Sequence, residues 1–595
     1  MLTRSRAKWL AASEPENRES LGDSDDSSYS DQEPEISVND DNIDKDNDED
    51  SIDDHNDEDD DEESTEDNNN KRKKCSTISS TKSCYLGKDQ ETKWITEPPQ
   101  IGKSKSKNIV TEKSGVKGGG KEANTPLSAW KLFFDDNILE KIVLYTNQKL
   151  NKIQGKYQRS RDCPMTNIEE MQALFGLLYL AGTLKLSHTK TTDLWARDGT
   201  SPPYFKAVMS EARFRQLLRA LRFDDLDTRK ERSQNDKLAP IREIVDHINE
   251  KFLSLYSVHE NVTIDEMMFS FKGRCSFRQY LPMKPHSYGI KTFALVDSSN
   301  YYTSFIEIYT GKQPPGPFFV DNTPKVVVQR IAKSILGTGR NITMDNWFSS
   351  IPLIDKLQTS HKTTVVATLK KNKKEIPPEF LATKTRPIFS SLIGYSNGKV
   401  LSSYVPKKNK CVLVVSSMHE ECKIDESTGS KQKPETIMYY NETKGGVDTV
   451  DQLRGNYTVA RYSCRWPLTV FFSLMDLVGI NSQIIYSENT GTELSRKSFL
   501  TEIVKDLTKP FMIKRVAIPQ LSTPLRMTMK QILNISNKEV SVIVQDKSRQ
   551  LCAYCPRKKN RKTTITCYSC ESYICKEHTR TMCERCYMCN DSTEE

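Results

Sequence analysis

Two periods of apolar residues run along the chain, and the change from one to the other separates its regions. Between residues 124 and 258 apolar residues recur at helical spacing, as at positions 241, 244, 245, 248, 252 and 255. This pattern predicts a helical domain over 124–258. From residue 259 the period shortens to two, which predicts β-strands in three successive segments: NVTIDEMMFSF, YGIKTFALVDSS and YYTSFIEIYTG.

These strands begin a predicted mixed α/β sheet over residues 259–370. After the third strand comes a helical stretch with Thr323 as N-cap and Pro324 at the first helical position. The short strands NITMD and TTVVATL then lie on either side of another helical stretch. Three strands, a helix, a strand, a helix and a strand favour a mixed sheet.

The sheet pattern is interrupted at residue 371. Residues 371–436 are polar, with Lys-rich and strand-like pieces, and are predicted to be an insertion domain; residues 437–456 return to the core with the motif GGVDTVDQ. Helical periodicity resumes over 457–520, where the helices are expected to complete the domain of 124–258. Residues 521–550 are predicted to be a linker that precedes a Cys-rich domain at 551–589.

The first 123 residues are predicted to be a disordered acidic tail followed by a linker. Residues 11–70 hold 27 Asp and Glu against two basic residues, a composition that buries too little apolar surface to offset the entropy of ordering. The basic run at 71–74 is either a nuclear import signal or a solvated charge run. Residues 71–595 carry a formal charge of +29 within a chain of +7 overall, which suits a polyanion such as nucleic acid.

The chain shows no pattern of a secreted or membrane protein. No apolar signal region is present near its start, and apolar runs such as ALFGLLYLAG are too short to span a bilayer. Eight of the 15 Cys lie between Cys552 and Cys589, which indicates metal binding and not a disulfide framework. An intracellular, reducing compartment is therefore expected.

Four aspartates lie at positions that suggest a metal-binding site. Asp265 lies inside the first strand, Asp345 closes NITMD, and Asp448 and Asp451 follow a Gly-Gly pair three residues apart. Taken singly, each is more often a strand-end, turn or helix-capping residue. Together they suggest a cluster, because neighbouring strands could place Asp265 beside Asp345, with Asp448 on a following helix. That is the layout of a ribonuclease H-like site, in which carboxylates hold two metal ions.

Basic and aromatic residues are interleaved in the segment FKGRCSFRQYLPMKPHSYGIK. Phosphate binding combined with base stacking would require such a pattern, although a solvated hairpin with one aromatic face explains it as well. Trp466 is by pattern either a core residue or a DNA contact. The basic candidates for DNA binding in this segment are Lys272, Arg274, Arg278, Lys284, His286 and Lys291.

The Cys-rich domain offers eight ligands in four close pairs, which predicts two tetrahedral zinc sites. Cys589 is a further candidate ligand. Arg557, Lys558 and Lys559 lie in the loop PRKKNRK, which either contacts phosphate or serves as an import signal. Interleaved pairing would give a cross-brace with Cys552, Cys555, Cys575 and His578 on one ion and Cys567, Cys570, Cys583 and Cys586 on the other.

The motifs TIDE, TMDNW, GGVDTVDQ and RWP resemble those of the piggyBac transposases in order and spacing, over roughly residues 125–590. The resemblance implies that Asp265, Asp345 and Asp448 form a catalytic triad that holds two Mg²⁺ or Mn²⁺ ions. Asp451, on the same helix as the third acid, is then also required, and Trp466 lies close to the active site.

The resemblance also implies a fold and an activity. The fold is a ribonuclease H-like α/β core interrupted by an insertion domain and flanked by a helical DNA-binding and dimerisation domain. The activity is cut-and-paste transposition at TTAA sites through hairpin ends, by a nuclear protein that binds double-stranded DNA as a dimer or larger assembly. The cross-brace zinc finger would bind the transposon end.

Two alternatives remain open from the sequence. One is a domesticated protein that binds DNA or chromatin without cutting, although all four acids are present. The other is a RING-type ubiquitin ligase, since RING domains share the cross-brace. RING order, however, places His in the second ligand pair, whereas His578 belongs to the third pair.

Overall fold

The computed structural model describes residues 83–99, 109–282, 284, 287–518, 520–535, 549–565, 567 and 572–580. The acidic tail lies outside these residues, so its disorder stays a prediction. The helices are α1 (Pro126–Lys131), α2 (Asp136–Gln154), α3 (Ile168–Thr183), α4 (Thr191–Leu194), α5 (Pro203–Val208), α6 (Glu211–Ala220), α7 (Arg229–Asn235), α8 (Arg242–Leu255), α9 (Pro324–Ile331), α10 (Ile351–His361), α11 (Pro378–Leu381), α12 (Glu435–Thr443), α13 (Gly446–Asn456), α14 (Trp466–Thr490), α15 (Arg496–Val516) and α16 (Thr523–Leu533).

The strands are mostly short. They are β1 (Cys84–Leu86), β2 (Lys93–Ile95), β3 (Gly115–Val116), β4 (Tyr256–Ser257), β5 (Asn261–Ser270), β6 (Gln279–Tyr280), β7 (Tyr288–Asp297), β8 (Thr303–Ile308), β9 (Asn341–Met344), β10 (Thr364–Thr368), β11 (Ser391–Ser396), β12 (Lys399–Lys407), β13 (Lys410–Ser416), β14 (Gln550–Leu551) and β15 (Lys562–Thr563).

One mixed sheet contains most of these strands, in the order β1-β2-β11-β12-β13-β10-β9-β5-β7-β6, with β8 paired to β7. The central strands β5, β9 and β10 are parallel to one another, while β7 is antiparallel to β5. Parallel neighbours need a crossover connection, and α10 supplies it between β9 and β10. The predicted mixed α/β sheet is confirmed.

The predicted insertion at 371–436 extends this sheet. Its strands β11, β12 and β13 form an antiparallel meander, and β13 pairs with the core strand β10, so that Val366 lies opposite Ser416. The backbone groups at the edge of β10 are therefore satisfied by the insertion, which protects an otherwise open edge.

The prediction of a linker up to residue 123 is wrong for two stretches. Residues 115–116 form β3, which pairs with β4, and residues 83–97 are also ordered. Here β1 and β2 form a hairpin, and Ile95 of β2 pairs with Tyr395 of β11. Trp94 is fully buried, and its indole N–H donates to the Glu375 carbonyl at 2.9 Å. Two three-residue strands are too short to show a period in the sequence, so their order depends on this distant contact.

The predicted linker at 521–550 is also corrected in part. Its first residues form the helix α16, with Pro524 at a starting position of the helix and the buried side chain of Met529 inside it. Proline at the first turn is a helix-start signal that the sequence already contained. Residues 536–548 lie outside the described residues.

The helical layer is organised around α14. Phe471 of α14 packs against the rings of Phe134 and Phe175, and the Tyr179 hydroxyl donates to the Met475 carbonyl at 2.8 Å. Among the described helices, α14 alone is long and apolar enough to cross a bilayer, but 94% of its apolar window is buried inside the protein. Such burial on all sides is typical of a core helix.

The junction between α12 and α13 lies directly on the central strands. The Thr263 hydroxyl of β5 donates to the Thr443 carbonyl at 2.7 Å, and the hydroxyls of Thr343 on β9 and Thr443 are 2.7 Å apart. At Gly446, the first residue of α13, an added Cβ would lie 2.6 Å from the Thr263 Oγ1. Glycine is therefore required here, because any side chain would lift α13 from the sheet.

We predict that Gly446→Ala lowers the free energy of unfolding by ~1–3 kcal/mol, the usual cost of overpacking a tight contact. The matched control is Gly455→Ala on the same helix, where an added Cβ meets nothing within 4 Å. Alanine is the better helix former, so the control should be neutral or more stable by up to ~1 kcal/mol. Urea unfolding of both variants measures this, and equal effects would contradict the close approach.

Candidate active site

Asp265 and Asp345 are placed side by side by the register of two parallel strands. Ile264 of β5 lies opposite Met344 of β9. The residues that follow them, Asp265 and Asp345, therefore lie side by side at the same end of the two strands. Because side chains alternate between faces, Asp265 points to the face that Thr263 occupies, which is the face covered by the α12–α13 junction. Asp345 accepts a hydrogen bond from the Thr368 hydroxyl of β10 at 2.7 Å.

Asp448 reaches the same region from the first turn of α13. Its side chain is 66% exposed, and its Oδ1 lies 3.4 Å from the Lys284 Nζ. The same ammonium group donates to the Glu266 carbonyl at 3.0 Å. Lys284, which the sequence assigned to DNA, therefore places its charge between β5 and the third acid.

The pKa values of nearby groups show that the acids form one electrostatic cluster. Burial raises the pKa of Asp265 to about 7, with Lys284 opposing the shift and Glu266 and Asp448 adding to it. Burial likewise raises the pKa of the Tyr440 hydroxyl, and Asp345, Asp265 and Asp448 each raise it further. A carboxyl group with such a raised pKa is short of compensating positive charge.

The donor set fits a divalent cation. Three carboxylates supply hard oxygen ligands, which Mg²⁺ and Mn²⁺ prefer, and the raised pKa of Asp265 shows that a cation would relieve an existing cost. The oxygen atoms of these three acids are not gathered as closely as the ligand atoms of the Cys-rich domain. Within the described part of the chain, one group of three or more His, Cys, Asp or Glu residues has all its possible ligand atoms within 4.8 Å of one another, and it consists of Cys and His.

Asp451 lies one turn after Asp448, but it is already engaged. Its Oδ1 accepts from the Arg454 guanidinium at 2.6 Å, and Arg454 also donates to the Ser473 hydroxyl of α14 and lies 4.6 Å over the Phe269 ring of β5. Burial raises the pKa of Asp451, and the charge of Arg454 opposes that shift. The arrangement fixes α13 against β5 and α14.

The other predicted DNA-binding residues differ in their exposure. Lys272 and Arg274 are exposed, and Arg278 donates to the carbonyls of Lys272 and Gly273 while lying 5.3 Å over the Tyr288 ring. Lys291 is only 13% exposed; it lies 4.6 Å over the Trp347 ring and 3.5 Å from Glu266. Its ammonium group thus pairs with Glu266 inside the protein. His286 lies outside the described residues.

Trp466 is half-buried at the start of α14. Its ring contacts Phe277 of the basic aromatic segment edge-on, with the centroids 5.0 Å apart. The two interpretations of this residue are therefore compatible, because one edge packs on the protein while the remaining surface is open. The contact also ties the RWP motif to the segment that follows β5.

The Cys-rich domain brings together the four residues that the sequence assigned to one ion. His578 Nδ1 lies 3.4 to 3.6 Å from the thiols of Cys552, Cys555 and Cys575. The set fits Zn²⁺, which takes four thiolate and imidazole ligands in a tetrahedron. Arg557, Lys558 and Lys559 are exposed on the loop between the ligand pairs. Of the second set Cys567 is described, whereas Cys570, Cys583 and Cys586 lie outside the described residues.

Three residues of the acid cluster escaped prediction from the sequence. Thr368 and Tyr440 are ordinary residues within a strand and a helix, and no local signal marks them as neighbours of Asp345. Glu266, by contrast, follows Asp265 directly in the TIDE motif and carried a signal, since a second acid in a buried strand is unusual.

Comparison with known proteins gives concordant results. A family model described as "Transposase IS4" matches residues 125–483. The human PiggyBac transposable element-derived protein 3 is 24% identical over 371 residues, which cover 59% of this chain and 60% of that protein. The human PiggyBac transposable element-derived protein 5 is 21% identical over 40% of this chain and 47% of its own length. The aligned region thus spans about half of each relative.

A solved structure matches more completely. It is a cryo-EM structure of a piggyBac transposase synaptic complex with hairpin DNA; it is 36% identical, its TM-score is 0.71, and the match covers 80% of this chain and 100% of that chain. The family model spans more than half of this chain and includes the strands and helices that carry all four acids. The chain therefore belongs to the transposase IS4 family, as a piggyBac-type member.

Proposed function

We propose that this protein is a metal-dependent DNA transposase that excises and reinserts piggyBac-type elements at TTAA sites. The observation that carries the proposal is the register of β5 and β9, which puts Asp265 beside Asp345 on the face where α13 presents Asp448. The five-stranded order β8-β7-β5-β9-β10 is, on this proposal, the ribonuclease H-like core. The solved structure that matches this chain is a transposase complex with hairpin DNA, which supports the same reaction class.

The acids have distinct tasks in the proposed site. Asp265, Asp345 and Asp448 would hold two Mg²⁺ or Mn²⁺ ions, which when bound activate the attacking oxygen and stabilise the leaving one. The Thr368 hydroxyl holds the carboxylate of Asp345 in one orientation. Arg454 holds Asp451, so that Asp451 orients α13. Lys284 offsets the negative charge of the cluster from one side.

The proposed chemistry is a series of displacements at phosphorus. Water attacks the phosphodiester at the element end and releases a 3′-hydroxyl, and that hydroxyl then attacks the opposite strand to give a hairpin end. Opening of the hairpin restores the hydroxyl, which joins the end to a TTAA target. Each step exchanges one P–O bond for another, so no covalent bond to the protein is needed and one set of acids serves every step.

Several surfaces would position the DNA. The exposed Lys272 and Arg274 would contact the backbone near the site, and the zinc finger with Arg557, Lys558 and Lys559 would bind the element end. Both ends must meet for excision, which calls for a dimer or larger assembly. We propose nuclear localisation on the basis of the basic runs at 71–74 and 556–562.

We predict that each of Asp265→Asn, Asp345→Asn and Asp448→Asn lowers precise excision by ~100-fold or more, a typical cost of removing one charge-stabilising group. The assay is excision of a reporter flanked by the element's own terminal repeats and TTAA. Glu250→Gln, an exposed acid of α8, is the matched control and should retain activity. Normal excision by any one of the three variants would remove that acid from the triad. Inactive wild-type protein that still binds the ends would indicate a domesticated DNA-binding protein.

We predict that Mn²⁺ raises the melting temperature of the wild-type protein and has a smaller effect on Asp265→Asn. Binding to the folded state alone stabilises it by ~2.7 kcal/mol at about 100 times Kd. The pKa of Asp265 is raised to about 7, so the carboxyl is largely neutral at pH 6 and ionised at pH 8. Since the neutral form is the poorer ligand, the Mn²⁺ effect should be larger at pH 8, and a larger effect at pH 6 would contradict this.

The same titration separates the roles of neighbouring residues. Lys284→Met removes a cation from the cluster and should lower the Mn²⁺ concentration at half-saturation. Asp448→Asn should weaken Mn²⁺ binding more than Asp451→Asn does, because Asp451 is held by Arg454. Equal losses in the two Asn variants would make Asp451 a direct ligand.

We predict that Cys575→Ser lowers the zinc content by about one ion per chain and abolishes binding to the element end, because one tetrahedral site loses a ligand. Atomic emission gives the metal content, with an expected wild-type value near two if both sets bind. Cys84→Ser, which changes an exposed thiol elsewhere, should alter neither property. Retained end binding would exclude the finger as the end-binding domain. Ubiquitin transfer in vitro would favour the RING alternative.

A further inference from the structure

The connection from α13 to α14 is fixed in place by buried polar groups. Arg461 donates to the carbonyls of Leu186 and Ser187, which follow α3, at 2.5 and 3.3 Å. Arg465 donates to the Leu221 carbonyl after α6 at 2.5 Å. Both arginines thus hold backbone carbonyls of the helical layer. The loop between them is therefore anchored at both ends.

An acid of α14 fixes the first half of the same connection. Asp476 is buried, and its carboxylate accepts from the Thr458 hydroxyl at 2.7 Å and from the Val459 backbone N–H at 2.9 Å. The connection is therefore anchored before residue 460 as well as at Arg461 and Arg465. The backbone that carries its exposed side chains is therefore held in place.

Tyr462 is presented in this way. It is 93% exposed, the largest exposed fraction among the large apolar side chains of the described residues. Its hydroxyl lies 3.8 Å from the Cys464 thiol. An aromatic ring gains ~1.5–3 kcal/mol from burial, and this one is exposed to solvent on an anchored loop. A ring in that position is available for a ligand with a flat apolar surface.

The surroundings of the loop are strongly basic. Burial, together with repulsion from Arg222 and Arg229, lowers the pKa of Arg465 to about 9. Burial also lowers the pKa of Lys149, with Arg222, Lys156 and Arg465 adding to the shift. Cations that depress one another's pKa destabilise the folded protein, and a polyanion at this surface would relieve the repulsion.

The other side of the loop contacts the basic segment that follows β5. An added Cβ at Gly273 would lie 3.1 Å from the Cys464 carbonyl, so the loop packs directly on that segment. Its exposed residues Lys272 and Arg274 extend the positive surface. The loop that carries Tyr462 therefore lies between two groups of cations, one around Arg465 and one beside Gly273.

We propose that Tyr462 is a stacking platform for an unpaired DNA base, with phosphates held by the cations on either side of its loop. Phosphate contacts position nucleic acid, and base stacking on an aromatic ring adds affinity for bases whose faces are open. A paired base inside a duplex presents its edges and not its faces, so the site selects DNA with unpaired bases. The inference rests on the proposed function, because such bases arise at a hairpin end.

The test is binding of two probes to the full-length protein without divalent metal: a duplex, and the same duplex closed by a short loop that contains 2-aminopurine. We expect Tyr462→Ala to weaken binding of the looped probe by ~10-fold and to abolish 2-aminopurine quenching, with little change for the duplex. Tyr462→Phe keeps the ring and should behave as wild type. The control Phe319→Ala removes another exposed ring and should change nothing.

A second pair of variants tests the cations. Lys149→Gln and Lys156→Gln should weaken binding of both probes alike and reduce the salt dependence of each, since they act on phosphate. Salt dependence that is unchanged in both would overturn the phosphate part of the proposal. Wild-type affinity and quenching in Tyr462→Ala, or equal losses in Tyr462→Ala and Tyr462→Phe, would overturn the stacking part.

The outcomes also separate this inference from the proposed function. Normal excision by wild type, combined with unaltered looped-probe binding by Tyr462→Ala, would leave the transposase proposal standing and reject the stacking site. Tyr462-dependent quenching without any excision would keep the stacking site in a protein that does not cut. A change in oligomeric state of Tyr462→Ala by light scattering, without loss of quenching, would assign the ring to self-association instead.

Discussion

The contact between the α12–α13 junction and the central strands is the constraint on which the site depends. The Thr263 hydroxyl donates to the Thr443 carbonyl, and the hydroxyls of Thr343 and Thr443 are hydrogen-bonded to each other. Gly446 has no side chain, which lets the start of α13 lie directly on the sheet. The third acid comes from a part of the chain separated from the first two by the insertion. This contact, together with the Arg454 contacts to α14 and β5, determines that Asp448 faces Asp265.

The acid cluster is costly for the folded protein, and the structure offsets the cost only in part. Asp265 keeps a pKa of about 7 although Lys284 lies beside it. Asp451 has a full partner in Arg454. Asp451 is therefore held in a structural ion pair, whereas Asp265 is left short of positive charge. That division distinguishes a positioning acid from candidate metal ligands.

The basic charge of the chain serves two purposes that composition cannot separate. Arg461 and the half-buried Arg465 hold backbone carbonyls, as does the buried Arg340 with the carbonyl of Val258. Lys291 is covered by aromatic rings. Only part of the positive charge is left for a polyanion, and the exposed part near the active site lies around the Tyr462 loop and the β5–β6 connection. Interior arginines carry a desolvation cost that several hydrogen bonds offset.

The sequence by itself determined the local elements and the chemistry of their ends. Period two over 261–270 and the acid after NITM predict β5, β9 and the positions of Asp265 and Asp345, since alternation reports which face of a strand is buried. Ligand order in the finger predicts the set completed by His578. Only the tertiary structure decided that residues 84–95 form a hairpin, that Lys284 faces the acids, and that the Tyr462 side chain is exposed to solvent. Long flexible side chains and three-residue strands take their positions from distant partners, and no local pattern records those contacts.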